Sequence, residues 1–159
     1  MHIEIRYKLT IKIGRHVAIV DFSFSALKMQ QMISEAASLI VLDHHASAAR
    51  ALSSIPDENK LFEMGQSGCT LSWNFFHPDS VVPALFRYVE DRDIWRWSMQ
   101  ESKAFDAAWT LVPRDFESIR TVLEGGQQSI ADLISTGHVL LQYRNRIIDR
   151  HVDSAVHRR

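Results

Sequence analysis

Residues 2–13 alternate strictly between apolar and polar positions. Ile3, Ile5, Tyr7, Leu9, Ile11 and Ile13 fall on one face, and His2, Glu4, Arg6, Lys8, Thr10 and Lys12 on the other. A period of two predicts a half-buried strand, at a sheet edge or in a hairpin. Gly14 ends it, and the pattern then changes twice. Residues 16–20 form a short apolar run ending at Asp21, the signature of a strand covered on both faces, as in a parallel sheet. Leu27, Met29, Met32, Ile33, Ala36 and Ala37 follow at helical spacing, with Ser23 or Ser25 placed to cap the helix. Residues 39–42 repeat the apolar run and end in Asp43-His44-His45. The order strand, helix, strand predicts a parallel pair whose carboxyl ends share one edge, where open parallel sheets bind ligands.

Beyond this unit the pattern predicts a short helix over 46–52, a turn at Pro56-Asp57-Glu58-Asn59 and a third strand over 61–64. Gly65-Gln66-Ser67-Gly68 opens a helix to about Phe76, and a loop of this kind offers backbone N–H groups to an anion. Helices are further predicted over 82–89, 101–110, 115–124 and 129–156, separated by Pro113 and by Gly125-Gly126. The last carries Ile130, Leu133, Ile134, Leu140, Leu141, Ile147, Ile148 and Val152 at helical spacing, which suits packing, a linker or a dimer contact. The expected fold class is α/β, a largely parallel sheet with flanking helices, followed by an α-helical C-terminal segment. The expected organisation is an α/β part over 1–97 and a helical extension over 98–159.

Composition adds exclusions. With 46% hydrophobic and 23% charged residues the 159-residue chain is an ordinary globular sequence. A formal charge of -1 argues against broad adhesion to nucleic acid but leaves room for a local basic groove. The single cysteine, Cys69, excludes an intrachain disulfide and a cysteine zinc cluster, and fits a reducing cytoplasm. No apolar run reaches the roughly 20 residues of a membrane span, so no membrane partner is expected.

The candidate chemistry sits at Asp43-His44-His45. Carboxylate and neutral imidazole together bind divalent manganese, iron or zinc. Neighbours on a strand point to opposite faces, whereas in the turn after it the two histidines can take different tasks, one on metal and one on substrate. Glu90-Asp91-Arg92-Asp93-Ile94-Trp95-Arg96-Trp97 is the other dense cluster. It reads either as a surface ion-pair network with a half-buried tryptophan pair, or as a source of a further ligand in Asp93 with Trp95 packed beneath it.

Four ordered pieces, Ile19-Val20-Asp21-Phe22-Ser23, Val41-Leu42-Asp43-His44-His45-Ala46-Ser47-Ala48, Ser67-Gly68 before a helix, and Asp91-Arg92-Asp93-Ile94-Trp95-Arg96-Trp97, resemble the DHH phosphoesterase superfamily. The similarity spans roughly residues 16–125 and is greatest to the RecJ-type and oligoribonuclease-like branch. It implies hydrolysis of phosphodiester bonds in short oligonucleotides or nucleotides by a manganese-dependent enzyme that uses two metals to activate water and hold phosphate charge. By the same resemblance Asp21 and His44 are metal ligands, with Asp21 bridging, and Asp93 is the last acidic ligand, with Asp91 as its alternative. His45 contacts the substrate phosphate, Asp43 fixes the histidine pair as part of the catalytic set, and Ser67 and Gly68 line the substrate loop. Two features depart from the family. Residues 1–15 contain no aspartate, where the family carries an Asp-x-Asp strand, and no smaller C-terminal substrate domain follows. The expectation is therefore a chain resembling the middle of such an enzyme, truncated at both ends, with weak or absent hydrolysis of its own. The alternative is a non-catalytic binding or assembly protein derived from the same domain, and a third reading makes the stated ends an artefact of the sequence.

Overall fold

The structure, a computed structural model, describes residues 14–156. The strand expected over 2–13 lies outside the described residues. The fold is α/β, with three parallel strands among the described residues, flanking helices and a helical C-terminal segment. Strand β1 is His16–Val20, β2 is Ser38–Asp43 and β3 is Lys60–Phe62. The helices are α1 Ala26–Glu35, α2 Ala46–Ala51, α3 Gly68–Phe76, α4 Ala84–Asp93, α5 Ser102–Trp109, α6 Phe116–Glu124 and α7 Gly126–Val156. A single 3-10 turn, Asp57–Asn59, precedes β3. The chain divides into two compact units, Met1–Ser72 and Trp73–Arg159, at a point inside α3. The expected division at residue 97 grouped residues by motif, whereas compactness places α4 and the tryptophan segment with the helical unit.

In the first unit the sheet order is β1-β2-β3, all parallel, with Val20 opposite Leu42 and Asp43 opposite Phe62. Strand β2 is central, and Leu39, Val41, Leu42 and Asp43 are buried. Strand β1 differs from its expectation: among the described residues it is an edge, Val17 and Ile19 turn inward, and Val20 is exposed. Its apolar run reads as two-faced because Ala18 and Val20 are small or branched, which suits an edge as well as an interior. One core joins Ile19, Leu39 and Val41 to Met29 and Met32 of α1 and to Leu52 and Ile55. Leu27 leaves the expected stripe and is exposed, since the core-facing positions of α1 are Met29, Met32 and Ile33. Ser25 takes the N-cap position of α1 without a side-chain bond. Lys60 reaches the carbonyls of Leu52, Ser53 and Ile55 at 3.1, 3.3 and 2.6 Å, closing the orphan acceptors after α2. Asn59 Nδ2 donates to the Leu39 carbonyl at 2.8 Å and ties the approach of β3 to β2.

The second unit packs α4, α5, α6 and α7 around Leu85, Phe105 and Ile130, with Tyr88 and Trp109 each stacked with Phe105 at 4.7 and 5.8 Å. Gly137 of α7 is required by close approach, because a Cβ there would overlap the carbonyl of Ala104 in α5. Helix α4 begins and ends later than the pattern predicts, at 84–93 rather than 82–89. Pro83 sits before its first turn, where a missing N–H costs nothing, and no breaker stands between Val89 and Ile94. Helix α7 begins at Gly126 rather than Ser129.

Asp91, in the last turn of α4, is 1% exposed and organises the next eight residues. Its Oδ1 accepts from the Ser98 N–H and hydroxyl, both at 2.9 Å, and its Oδ2 from the Met99 N–H at 3.1 Å. Its backbone carbonyl accepts from the N–H groups of Arg96 and Trp97 at 2.9 and 3.1 Å. Both carboxylate oxygens thus accept hydrogen bonds from the loop that follows α4. Burial pushes its pKa upward. The buried Ser102 hydroxyl, which lacks hydrogen-bonding geometry, opposes this together with the Ser98 and Met99 bonds, and the net result lies below the ordinary 3.8. A lowered folded-state pKa means that the unfolded chain binds the proton more tightly. The stabilisation is therefore complete above pH 3.8 and is lost as pH falls through the folded value. Asp91→Asn is expected to lower unfolding free energy by about 1.5–3 kcal/mol at neutral pH and to flatten the loss of stability below about pH 4. Urea denaturation across pH measures both, and equal stability of variant and parent at pH 7 would contradict the role given to Asp91.

Candidate metal centre

Two strands run in parallel and end side by side, so Asp21 and Asp43 leave the sheet at the same edge. The Asp21 N–H still donates to the Leu42 carbonyl at 2.8 Å, after which its backbone turns left-handed at φ 58°. Aspartate tolerates that conformation better than most residues. The turn sends the Asp21 carboxylate over the end of β2 instead of along the strand. There its Oδ1 lies 3.0 Å from His44 Nε2.

Asp43 is fully buried at the last position of β2. Its Oδ1 accepts from the N–H of His44 at 2.7 Å and of His45 at 3.2 Å, and meets His45 Nδ1 at 2.7 Å. One oxygen thus fixes the turn into α2 and the orientation of one imidazole. The two histidines have left the strand, so they are free of its two-face alternation, and their rings meet edge to face at 4.4 Å. They take separate directions, His44 toward Asp21 and His45 toward Asp43. His44 is nearly covered while half of the His45 side chain is exposed.

The other oxygen of Asp43, Oδ2, is buried and has no hydrogen-bond partner among the described residues. Such a group costs about 1–3 kcal/mol or more if nothing satisfies it. Ligand atoms of Asp21, Asp43, His44 and His45 all lie within 4.8 Å of one another, and this cluster can hold a metal ion. Metal–oxygen and metal–nitrogen bonds of about 2.1 Å place adjacent octahedral ligands about 3.0 Å apart, the separation of Asp21 and His44. Beside the cluster a cleft of about 460 Å³ is lined by Phe22, Phe24, Ser25, Ser47 and His45. Phe22 and Phe24 meet edge to face at 4.9 Å, and Phe22 is 54% exposed.

Gly68 opens α3 against the Asp21 side chain. A Cβ at 68 would stand 2.6 Å from both Cγ and Oδ1 of Asp21 and nearer still to its Cβ. The glycine is what lets the carboxylate sit at the amino end of a helix, whose partial positive charge attracts it. Ser67 is 1% exposed, and its hydroxyl accepts from the Thr70 N–H at 3.3 Å as the cap of α3, with Cys69 Sγ at 3.1 Å.

Asp93 ends α4 in the second unit and is exposed, and the four residues of the cluster belong to the first. Trp95 is 74% exposed, against the reading that packs it beneath Asp93. The left-handed backbone at Trp95 and Trp97, φ 60° and 52°, turns both indoles against one another at 5.4 Å. Sequence reasoning missed Phe22 and Phe24 as cleft residues. Their alternation with Ser23 and Ser25 directly after Asp21 was the available signal.

The fold and site thus define an α/β protein with an aspartate and histidine cluster, capable of holding a metal, at the carboxyl edge of a parallel sheet. Over 137 residues the chain is 31% identical to "Uncharacterized protein R106" of Acanthamoeba polyphaga mimivirus, a match that takes in 86% of this chain and 32% of the viral protein. The chain therefore spans about a third of that relative's length. No family model and no solved structure matches it.

The packing of Gly68 on Asp21 gives a direct expectation. Gly68→Ala should weaken binding of a divalent metal, probed with Mn²⁺, at least about ten-fold while leaving the circular dichroism unchanged, because the nearest atoms the added methyl meets belong to Asp21. Titration calorimetry with Mn²⁺ alone measures it. Parent-like affinity in this variant would show that Asp21 does not need its observed position.

Proposed function

We propose that this edge belongs to a manganese-dependent phosphodiesterase acting on short oligonucleotides or nucleotides in the cytoplasm. The observation that carries the proposal is the convergence of Asp21, Asp43, His44 and His45 at the carboxyl ends of adjacent parallel strands, with a buried Asp43 oxygen still to be satisfied. Asp21 and His44 would hold the ion. Bound manganese would supply an acidified water and charge neutralisation at phosphorus. His45, its Nδ1 held by Asp43, lines the cleft and is the group to contact a phosphate oxygen. The Asp43 carboxylate keeps the orientation of that ring. Phe22, exposed on the cleft wall, offers a face on which a base can stack.

The resemblance to DHH phosphoesterases supports the choice of manganese and of phosphodiester substrate. Incubation of the chain with Mn²⁺ and a labelled diribonucleotide should give release of mononucleotide that chelation stops. His44→Ala and Asp21→Asn should each reduce the rate at least about 100-fold. Hydrolysis that persists in His44→Ala, or a parent chain that binds no Mn²⁺, would remove the proposal.

A second reading, an assembly protein derived from the same domain, is favoured by one feature. Val139, Tyr143, Ile148 and Val152 of α7 are exposed. It predicts a homodimer in sedimentation equilibrium that Tyr143→Glu converts to monomer, and a monomeric parent chain would sink it.

A further inference from the structure

The second unit holds a groove that the metal edge does not use. Its volume is about 440 Å³, and it is lined by Trp95, Trp97, Lys103, Asp106, Leu141 and Arg144. Three observations distinguish it from a chance hollow. First, it displays an indole that the fold could have buried. Trp95 is 74% exposed although the adjoining core contains several aromatic rings. Keeping so large an apolar surface in water is unfavourable. Second, the display depends on strained backbone. Trp95, Trp97 and Glu101 all have positive φ, at 60°, 52° and 64°. A bulky residue in that region costs about 1–3 kcal/mol, and such positions concentrate at ligand clamps. The strain is sustained by the five bonds that Asp91 accepts from residues 96–99. Third, the charges are sorted. The carboxylate of Asp106 is engaged by Arg92 at 3.3 Å. Lys103 and Arg144, both exposed, are the remaining charged walls and make the groove cationic.

An exposed indole, a second indole against its edge and two cations are the elements that bind single-stranded nucleic acid. Bases stack on the aromatic face, and the cations take the phosphates. The volume lies within the range of ligand sites, about 300–1,000 Å³, and an opening that leaves Trp95 so exposed lets a chain enter and leave. We infer that this groove binds one nucleotide of a single-stranded oligonucleotide, with the base on Trp95 and the backbone phosphate on Lys103 and Arg144. The inference stands apart from the metal edge and needs no metal.

The test is fluorescence anisotropy on the full chain in EDTA at low salt, with a labelled oligodeoxyadenylate of about five nucleotides as probe. Metal-dependent hydrolysis is silent under these conditions, so failure of the phosphodiesterase reading does not affect the result. The parent chain should bind, with quenching of its tryptophan emission. Trp95→Ala should weaken binding at least about ten-fold, and Trp95→Phe should restore part of it, since stacking survives on a smaller ring. Replacing Lys103 and Arg144 together by alanine should weaken binding about ten-fold and make it less dependent on salt. An abasic strand of the same length should bind at least about ten-fold more weakly. Trp95 is exposed, so its variants should keep the parent circular dichroism. The inference is overturned if the parent does not bind the probe, if Trp95→Ala binds as the parent does, if the abasic strand binds equally well, or if a sulfated oligosaccharide displaces the probe more effectively than unlabelled oligodeoxyadenylate.

Discussion

A single buried oxygen, Asp43 Oδ1, determines how the first unit presents its chemistry. It collects two backbone N–H groups and one imidazole nitrogen within 3.2 Å. Those contacts end β2, start the turn to α2 and separate the directions of His44 and His45. Without that acceptor the two N–H groups would compete for water at the end of a buried strand, and the histidines would revert to the two-face alternation that prevents them from sharing a site. Asp21 then arrives from β1 by a left-handed residue, and Gly68 clears the space that its carboxylate occupies. Position, orientation and clearance come from three separate elements, each adjusted by one residue.

The second unit uses the same device for a different display. Asp91 is also buried at the carboxyl end of an element, and it also spends its oxygens on the N–H groups of the loop that follows. There the loop carries indoles instead of imidazoles. In both places a short acidic side chain replaces the backbone partners lost where regular structure stops, and it stabilises a loop whose other side chains are left available for ligands.

Much of this was legible in the sequence because it rests on period and on chemistry local to the chain. The apolar runs before Asp21 and Asp43, with a helical stripe between them, specify parallel strands, and the structure has them. The fixing role of Asp43 came from the family resemblance alone, and the bonds of its Oδ1 to the His44 and His45 N–H groups and to His45 Nδ1 are seen only in the fold. What could not be read depends on contacts distant in sequence or on backbone conformation. Gly68 is an ordinary helix-opening glycine until the Asp21 side chain is seen against it. Nothing local distinguishes Asp91 as a loop anchor from Asp93 as an exposed acid, because the difference lies in Ser98 and Met99 folding back. The left-handed conformations of Trp95 and Trp97 run against the preference of bulky residues, so pattern reasoning could not place them. The alternation over 2–13 remains an expectation, since those residues lie outside the described part of the chain.

The central claim is that His44 and Asp21 together form a metal site rather than a simple imidazole–carboxylate contact. Pulsed electron paramagnetic resonance of the chain loaded with Mn²⁺ tests it most directly. The account predicts hyperfine coupling from an imidazole nitrogen to the bound ion, present in the parent chain and in His45→Gln, and absent in His44→Gln. Mn²⁺ bound without such coupling, or coupling that survives in His44→Gln and vanishes in His45→Gln, would contradict it.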